Sequence, residues 1–86
     1  MKTVEYIIQD KVGLHARPAS KLVQSLSKYK SSVFMEFEGK KANAKSIINL
    51  MSLGVTGKSK VIFQIEGEDE EELSNSLTEI LAEHGI

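Results

Sequence analysis

The sequence predicts an α+β layer fold, with one sheet covered by helices on one face and open to solvent on the other. Three observations carry this. Segments of alternating apolar residues interchange with segments of helical spacing, in the order β-α-β-β-α-β-α. Only Glu38-Gly39 separates two of the strand segments, so they form a hairpin and pair antiparallel. The segment after that turn, Lys40 to Asn43, is short and polar, as a sheet edge requires.

Each element has its own signal. Val4, Tyr6 and Ile8 alternate with Thr3, Glu5 and Ile7, giving a first strand with one strongly apolar face. Gly13 and Leu14 bring the chain into a turn. Pro18 has a fixed φ and no N–H, so it fits a first helical turn, and Ala19, Leu22, Val23 and Leu26 follow at helical spacing. The first helix therefore runs from about Ala16 to Ser27, with His15 at or near its N-cap. Ser31-Ser32 breaks the pattern, and Val33, Met35 and Phe37 form the apolar face of a second strand. Ser46 is a good N-cap and Gly54 a good stop for a short helix through Ile47, Leu50 and Leu53. Val61, Phe63 and Ile65 give a fourth strand. Asp69 with Glu72 three residues on has the form of a capping box, and Leu73, Leu77, Ile80 and Leu81 line the last helix's core face.

Composition narrows the function classes. A chain of 86 residues makes one small domain, here residues 1–86, and 41% apolar with 27% charged residues is an ordinary soluble profile. A net charge of −1 argues against nucleic acid as a partner and against general membrane affinity. Without cysteine there is neither disulfide nor thiolate chemistry. No run is long enough for membrane insertion, and "MKTVEYIIQDK" lacks the apolar stretch of a signal peptide, so a cytoplasmic location is expected.

The stretch "GLHARPAS", Gly13 to Ser20, carries the chemistry. A helix N-terminus presents unpaired N–H groups and positive partial charge, which suits phosphate. That end works against a protonated imidazole, so His15 tends to stay neutral and nucleophilic. A phosphoryl group on His15 would land beside the backbone donors of Ala16 and Arg17. The Arg17 guanidinium adds a planar fork for two phosphoryl oxygens. The same H-x-R-P spacing also fits a capping or surface histidine, so the motif alone leaves both readings open. Lys21 and Lys28 extend the basic surface around Arg17, either steering an acidic partner or solvating the helix.

Other candidates are weaker. "GVTGKS", Gly54 to Ser59, lacks the first glycine of a phosphate-binding loop and precedes a strand instead of a helix, so it reads as a turn. No second histidine or carboxylate falls at metal-ligand spacing with His15, so neither a metal nor a cofactor is expected. Ile48 and Met51 fall off the core face of the short helix. They either complete the core or form an exposed apolar contact patch.

"GLHARPAS" resembles the active-site stretch of the HPr family, the histidine-containing phosphocarriers of the bacterial sugar phosphotransferase system. "NAKSIINLMSLGV", about thirty residues on, resembles that family's regulatory-serine segment and the helix after it. The resemblance implies an open-faced β-sandwich of four antiparallel strands with three helices on one face. It implies that His15 takes a phosphoryl group from phosphorylated enzyme I and passes it to the IIA domain of a sugar permease. The family's accepting atom is Nδ1, a choice the sequence itself does not make. Ser46 matches the regulatory position, so a serine kinase/phosphorylase and a transcriptional regulator are implied partners. Ser20, Lys21, Ile47, Ile48 and Met51 would form the partner surface of a monomer. The chain departs from the family at Ile48-Asn49, where Met-Gly is usual, and that departure bears on partner and kinase affinity at this segment.

Three functions compete. The first is the phosphocarrier, a reactive protein with no turnover of its own. The second is an HPr-like regulatory module acting as a corepressor-type partner through phospho-Ser46; the presence of His15 argues against it. The third is an independent enzyme using His15 as acid or base, which needs a buried pocket and a partner carboxylate or nucleophile. Apart from Ser20, the sequence near His15 offers neither.

Overall fold

A computed structural model describes residues 1–86. The strands are β1 (Lys2–Ile7), β2 (Ser32–Phe37), β3 (Lys40–Asn43) and β4 (Lys60–Glu66); the helices are α1 (Ala16–Leu26), α2 (Ile47–Ser52) and α3 (Glu70–Glu83). The sheet order is β1-β4-β2-β3 and every neighbouring pair is antiparallel. The polar strand β3 is an edge, as its composition requires. Its hairpin turns through Glu38 at φ 50° and Gly39 at φ 80°, the double left-handed geometry that matches strand twist.

Register explains the single core. Phe63 of β4 lies opposite Val4 on one side and Met35 on the other, so these residues share a face. Val33, Met35, Phe37, Val61, Phe63 and Ile65 are all buried on it. Leu22 and Leu26 of α1, Leu50 of α2, and Leu73, Leu77 and Leu81 of α3 close over it in one cluster of 20 buried residues. The other face carries Glu5, Phe34, Glu36, Ile62 and Gln64, exposed or half-buried. This is the open-faced α+β sandwich of four strands and three helices.

One local expectation fails. Asp69 occupies the N-cap of α3, but its side chain makes no cap bond. Its carboxylate accepts instead from the backbone N–H of Lys30 at 2.8 Å and of Ser31 at 2.9 Å, and from the Ser31 hydroxyl. Glu72 takes no part; the Glu70 side chain accepts from the Gly67 N–H at 3.0 Å. Three donors on the α1–β2 turn outcompete the one helix N–H that a capping box would satisfy. They hold the Asp69 carboxyl below its usual range, the Ser31 hydroxyl contributing most.

The loop before α1 is seated by backbone contact. Gly13, at φ +100°, lies so close to the Val55 carbonyl that a β-carbon would overlap it, and a β-carbon on Gly57 would overlap the Lys11 carbonyl. Leu14 N–H donates to the Val55 carbonyl at 3.2 Å and its side chain is buried. Positive φ in "GVTGKS" falls on Gly54 and Lys58, while Gly57 serves the close approach. Two crossed loops thus fix the point from which His15 and α1 start.

Candidate functional site

His15 is the N-cap of α1, with extended backbone at φ −107° and ψ −176°. Its carbonyl accepts the Ala19 N–H at 3.0 Å, the first bond of the helix, but its ring makes no cap bond. Ala16 and Arg17 are the first two helical residues, and their N–H groups have no partner within the chain. Pro18 is third and buried, where its missing N–H costs nothing. The helix start agrees with the expected one at about Ala16, and the residue that carries the imidazole directly precedes two unused backbone donors.

Side chains complete the picture. The His15 side chain is 45% exposed, open to a partner yet held at one face. Arg17 is exposed and engages no carboxylate of the chain, so its guanidinium fork is free. Ser20 is half-buried and Lys21 exposed on the same helix.

Asp10 is the residue that sequence reasoning missed. Its Oδ2 lies 3.5 Å from His15 Nε2, and its Oδ1 accepts the Val12 N–H at 2.8 Å. The Val12 N–H is the main cause holding the Asp10 carboxyl below its usual range, with the His15 side chain and the Gly13 N–H adding to it. The expectation that no carboxylate accompanies His15 is corrected. An Asp three residues before a glycine signals a side-chain-to-backbone turn, and that signal was available in "DKVG". The buried pocket of an enzyme reading does not accompany it. The two surface hollows lie around Phe34 and Lys41, and neither is lined by His15.

The second segment lies on α2, which packs against α1. Ser46 is the N-cap: its Oγ accepts the Asn49 N–H at 3.4 Å and its carbonyl accepts the Leu50 N–H at 3.0 Å. Leu50 and Leu53 are buried and Ile47 is half-buried, while Ile48 is 78% and Met51 40% exposed. Ile48 and Met51 thus stand outside the core. Asn49 borders a hollow with Phe34, Lys41 and Ser52.

Comparison with known proteins agrees with this geometry along the whole chain. The family model described as "PTS HPr component phosphorylation site" matches residues 2–83. Phosphocarrier protein HPr of Mycoplasma pneumoniae is 40% identical over 87 residues, covering 100% of this chain and 99% of the relative. The solved HPr of Thermoanaerobacter tengcongensis superposes with a TM-score of 0.90 at 45% identity, over 99% of this chain and 96% of that one. The histidine-containing phosphocarrier protein solved for Mycoplasma gives 0.91 at 32% identity, over 98% and 96%. Such matches define a phosphocarrier, a protein that is itself the vehicle of the group and not an enzyme. The chain belongs to the HPr family of the phosphotransferase system. Solved neighbours also include an HPr dimer of T. tengcongensis, 45% identical over the whole of both chains with a TM-score of 0.75.

Proposed function

We propose that His15 accepts a phosphoryl group from phosphorylated enzyme I and passes it to the IIA domain of a sugar permease in the cytoplasm. One observation carries this reading: a half-exposed imidazole stands at a helix start whose first two N–H groups are unused. Those donors, with the Arg17 fork, suit the charge of an incoming phosphoryl group. Open placement suits a group that must be reached by two partners in turn.

Ser20, Lys21, Ile47, Ile48 and Met51 are proposed as the docking surface. Exposed apolar side chains on α2 and a basic α1 fit partners that pair an apolar contact with acidic groups. Ser46 is proposed as the regulatory site of a serine kinase/phosphorylase, with a transcriptional regulator reading the modified form. A phosphate there would sit at a helix start and put negative charge beside Ile48. The carrier acts as a single domain and a monomer, a reading supported by a core that closes within one chain. Sedimentation at working concentration separates it from a dimer. The test of the relay is sequential. Phosphoenolpyruvate and enzyme I should put an acid-labile, base-stable phosphate on the purified chain, and an added IIA domain should remove it. A chain that stays unlabelled, or a label that no IIA domain accepts, defeats the reading.

A further inference from the structure

We propose that Asp10 is a positioning residue for His15: its carboxylate keeps the proton on Nε2, leaves Nδ1 as the attacking atom, and steadies the positive ring charge after transfer. This rests on the carrier reading above and adds to it a residue outside the H-x-R-P motif.

The geometry is specific to the two oxygens. Oδ1 is held by the Val12 N–H at 2.8 Å, which fixes the carboxylate plane. Oδ2 is then left 3.5 Å from His15 Nε2, the one carboxylate oxygen within ion-pair range of the ring. An ionised carboxylate only accepts, so the nitrogen facing it carries hydrogen. A neutral imidazole with hydrogen on Nε2 has its lone pair on Nδ1. The carboxyl is held ionised mainly by the Val12 N–H, so it stays an acceptor at neutral pH. The seat of the loop is rigid, because Gly13 meets Val55 and Gly57 meets Lys11 backbone to backbone.

The transfer step balances without a free proton. The Nδ1 lone pair forms the N–P bond while the donor's bond to phosphorus breaks, and that electron pair leaves with the donor. Nε2 keeps its hydrogen throughout, so the ring gains a positive charge opposite Asp10. Transfer onward reverses this. A ring that keeps its charge is the better leaving group, so Asp10 acts on both directions of the relay.

The test uses the full chain labelled with ¹⁵N-histidine, as wild type, Asp10→Asn and Asp10→Ala. Asp10→Asn removes the charge while its amide oxygen still accepts from Val12; Asp10→Ala removes both. In the unphosphorylated protein, wild-type Nε2 should read as strongly N–H-bearing, and both variants should shift part of that signal toward the bare-nitrogen range. In the phosphorylated protein at one mildly alkaline pH, both variants should lose ring protonation relative to wild type. Phosphoryl transfer should slow by about two- to five-fold, the scale of a solvent-screened ion pair. Unchanged ¹⁵N signals and rates in Asp10→Asn, with a defect only in Asp10→Ala, would mean that Asp10 shapes the turn and nothing more, and would overturn the proposal. Failure of the carrier reading is distinguishable: wild type would then take no phosphoryl group, while the tautomer signals of the free ring would still report on Asp10.

Discussion

Gly13 and Val55 meet backbone to backbone, with Gly13 at φ +100° and no room for a side chain between it and the Val55 carbonyl. This contact lies two residues before His15, so loop packing and the position of the His15 ring are one problem. Gly13→Ala should lower the thermal midpoint and weaken phosphoryl acceptance together. Gly39→Ala is the control: it also sits at positive φ but meets nothing within 4 Å. It should cost only about 1–2 kcal/mol from backbone conformation and leave transfer unchanged. Equal losses in the two variants would show that the Val55 contact does not matter.

Arg17 engages no carboxylate of the chain and is proposed to bind two phosphoryl oxygens at once. Arg17→Lys keeps the charge and loses the planar fork, so transfer should slow without being abolished. The fold should be unaffected, since Arg17 is exposed and holds no carboxylate of the chain. Stopped-flow or quench measurements of transfer from enzyme I check this, and equal rates would remove the fork from the account.

Ser46 separates capping from charge. Ser46→Ala should cost about 0.5–2 kcal/mol of stability, toward the low end because the cap bond is 3.4 Å long, and leave transfer nearly normal. Ser46→Asp should keep the cap yet slow transfer, because it sets a negative charge beside the exposed Ile48. Thermal midpoints and transfer rates for the pair decide it. Rates that follow stability would leave Ser46 as a cap only.

Asp69 gives a dependence on acid. Its carboxyl is lowered by Ser31 and Lys30, so its contribution is fully present above the unfolded value of about 3.9 and is lost as pH falls through the lower folded value. Asp69→Asn should reduce the midpoint at neutral pH and flatten the acid side of the stability curve. Glu72→Gln should do neither. Urea titrations from pH 7 downward read both effects, and a Glu72 variant that behaves like the Asp69 variant would restore the capping box.

The fold was legible where its signals are local. Alternation at Val33, Met35 and Phe37 named the buried face of β2, whereas helical spacing left Ile48 and Met51 open between core and exposed patch, and their exposure decides for the patch. The site was legible in part: His15 at a helix start and Ser46 as a cap follow from motif and propensity. Asp69 was misread because its partners lie 39 and 38 residues away, where a local pattern has no reach. Asp10 is only five residues from His15, but its approach depends on a turn whose glycine is dictated by a third segment, at Val55. Gly57 likewise answers to Lys11, and not to its own turn.

Everything above turns on a phosphoryl group carried by His15. The most direct measurement is the location of the phosphate after incubation with phosphoenolpyruvate and enzyme I, by peptide mass under alkaline conditions that preserve phosphohistidine. One phosphoryl group should be found on the peptide containing His15, and none on a folded His15→Ala variant, whose lost ring makes no cap bond for the helix to miss. Phosphate on His84, the chain's other histidine, whose Nε2 lies 2.7 Å from Ser25 Oγ, or continued labelling of the folded His15→Ala chain, would contradict it.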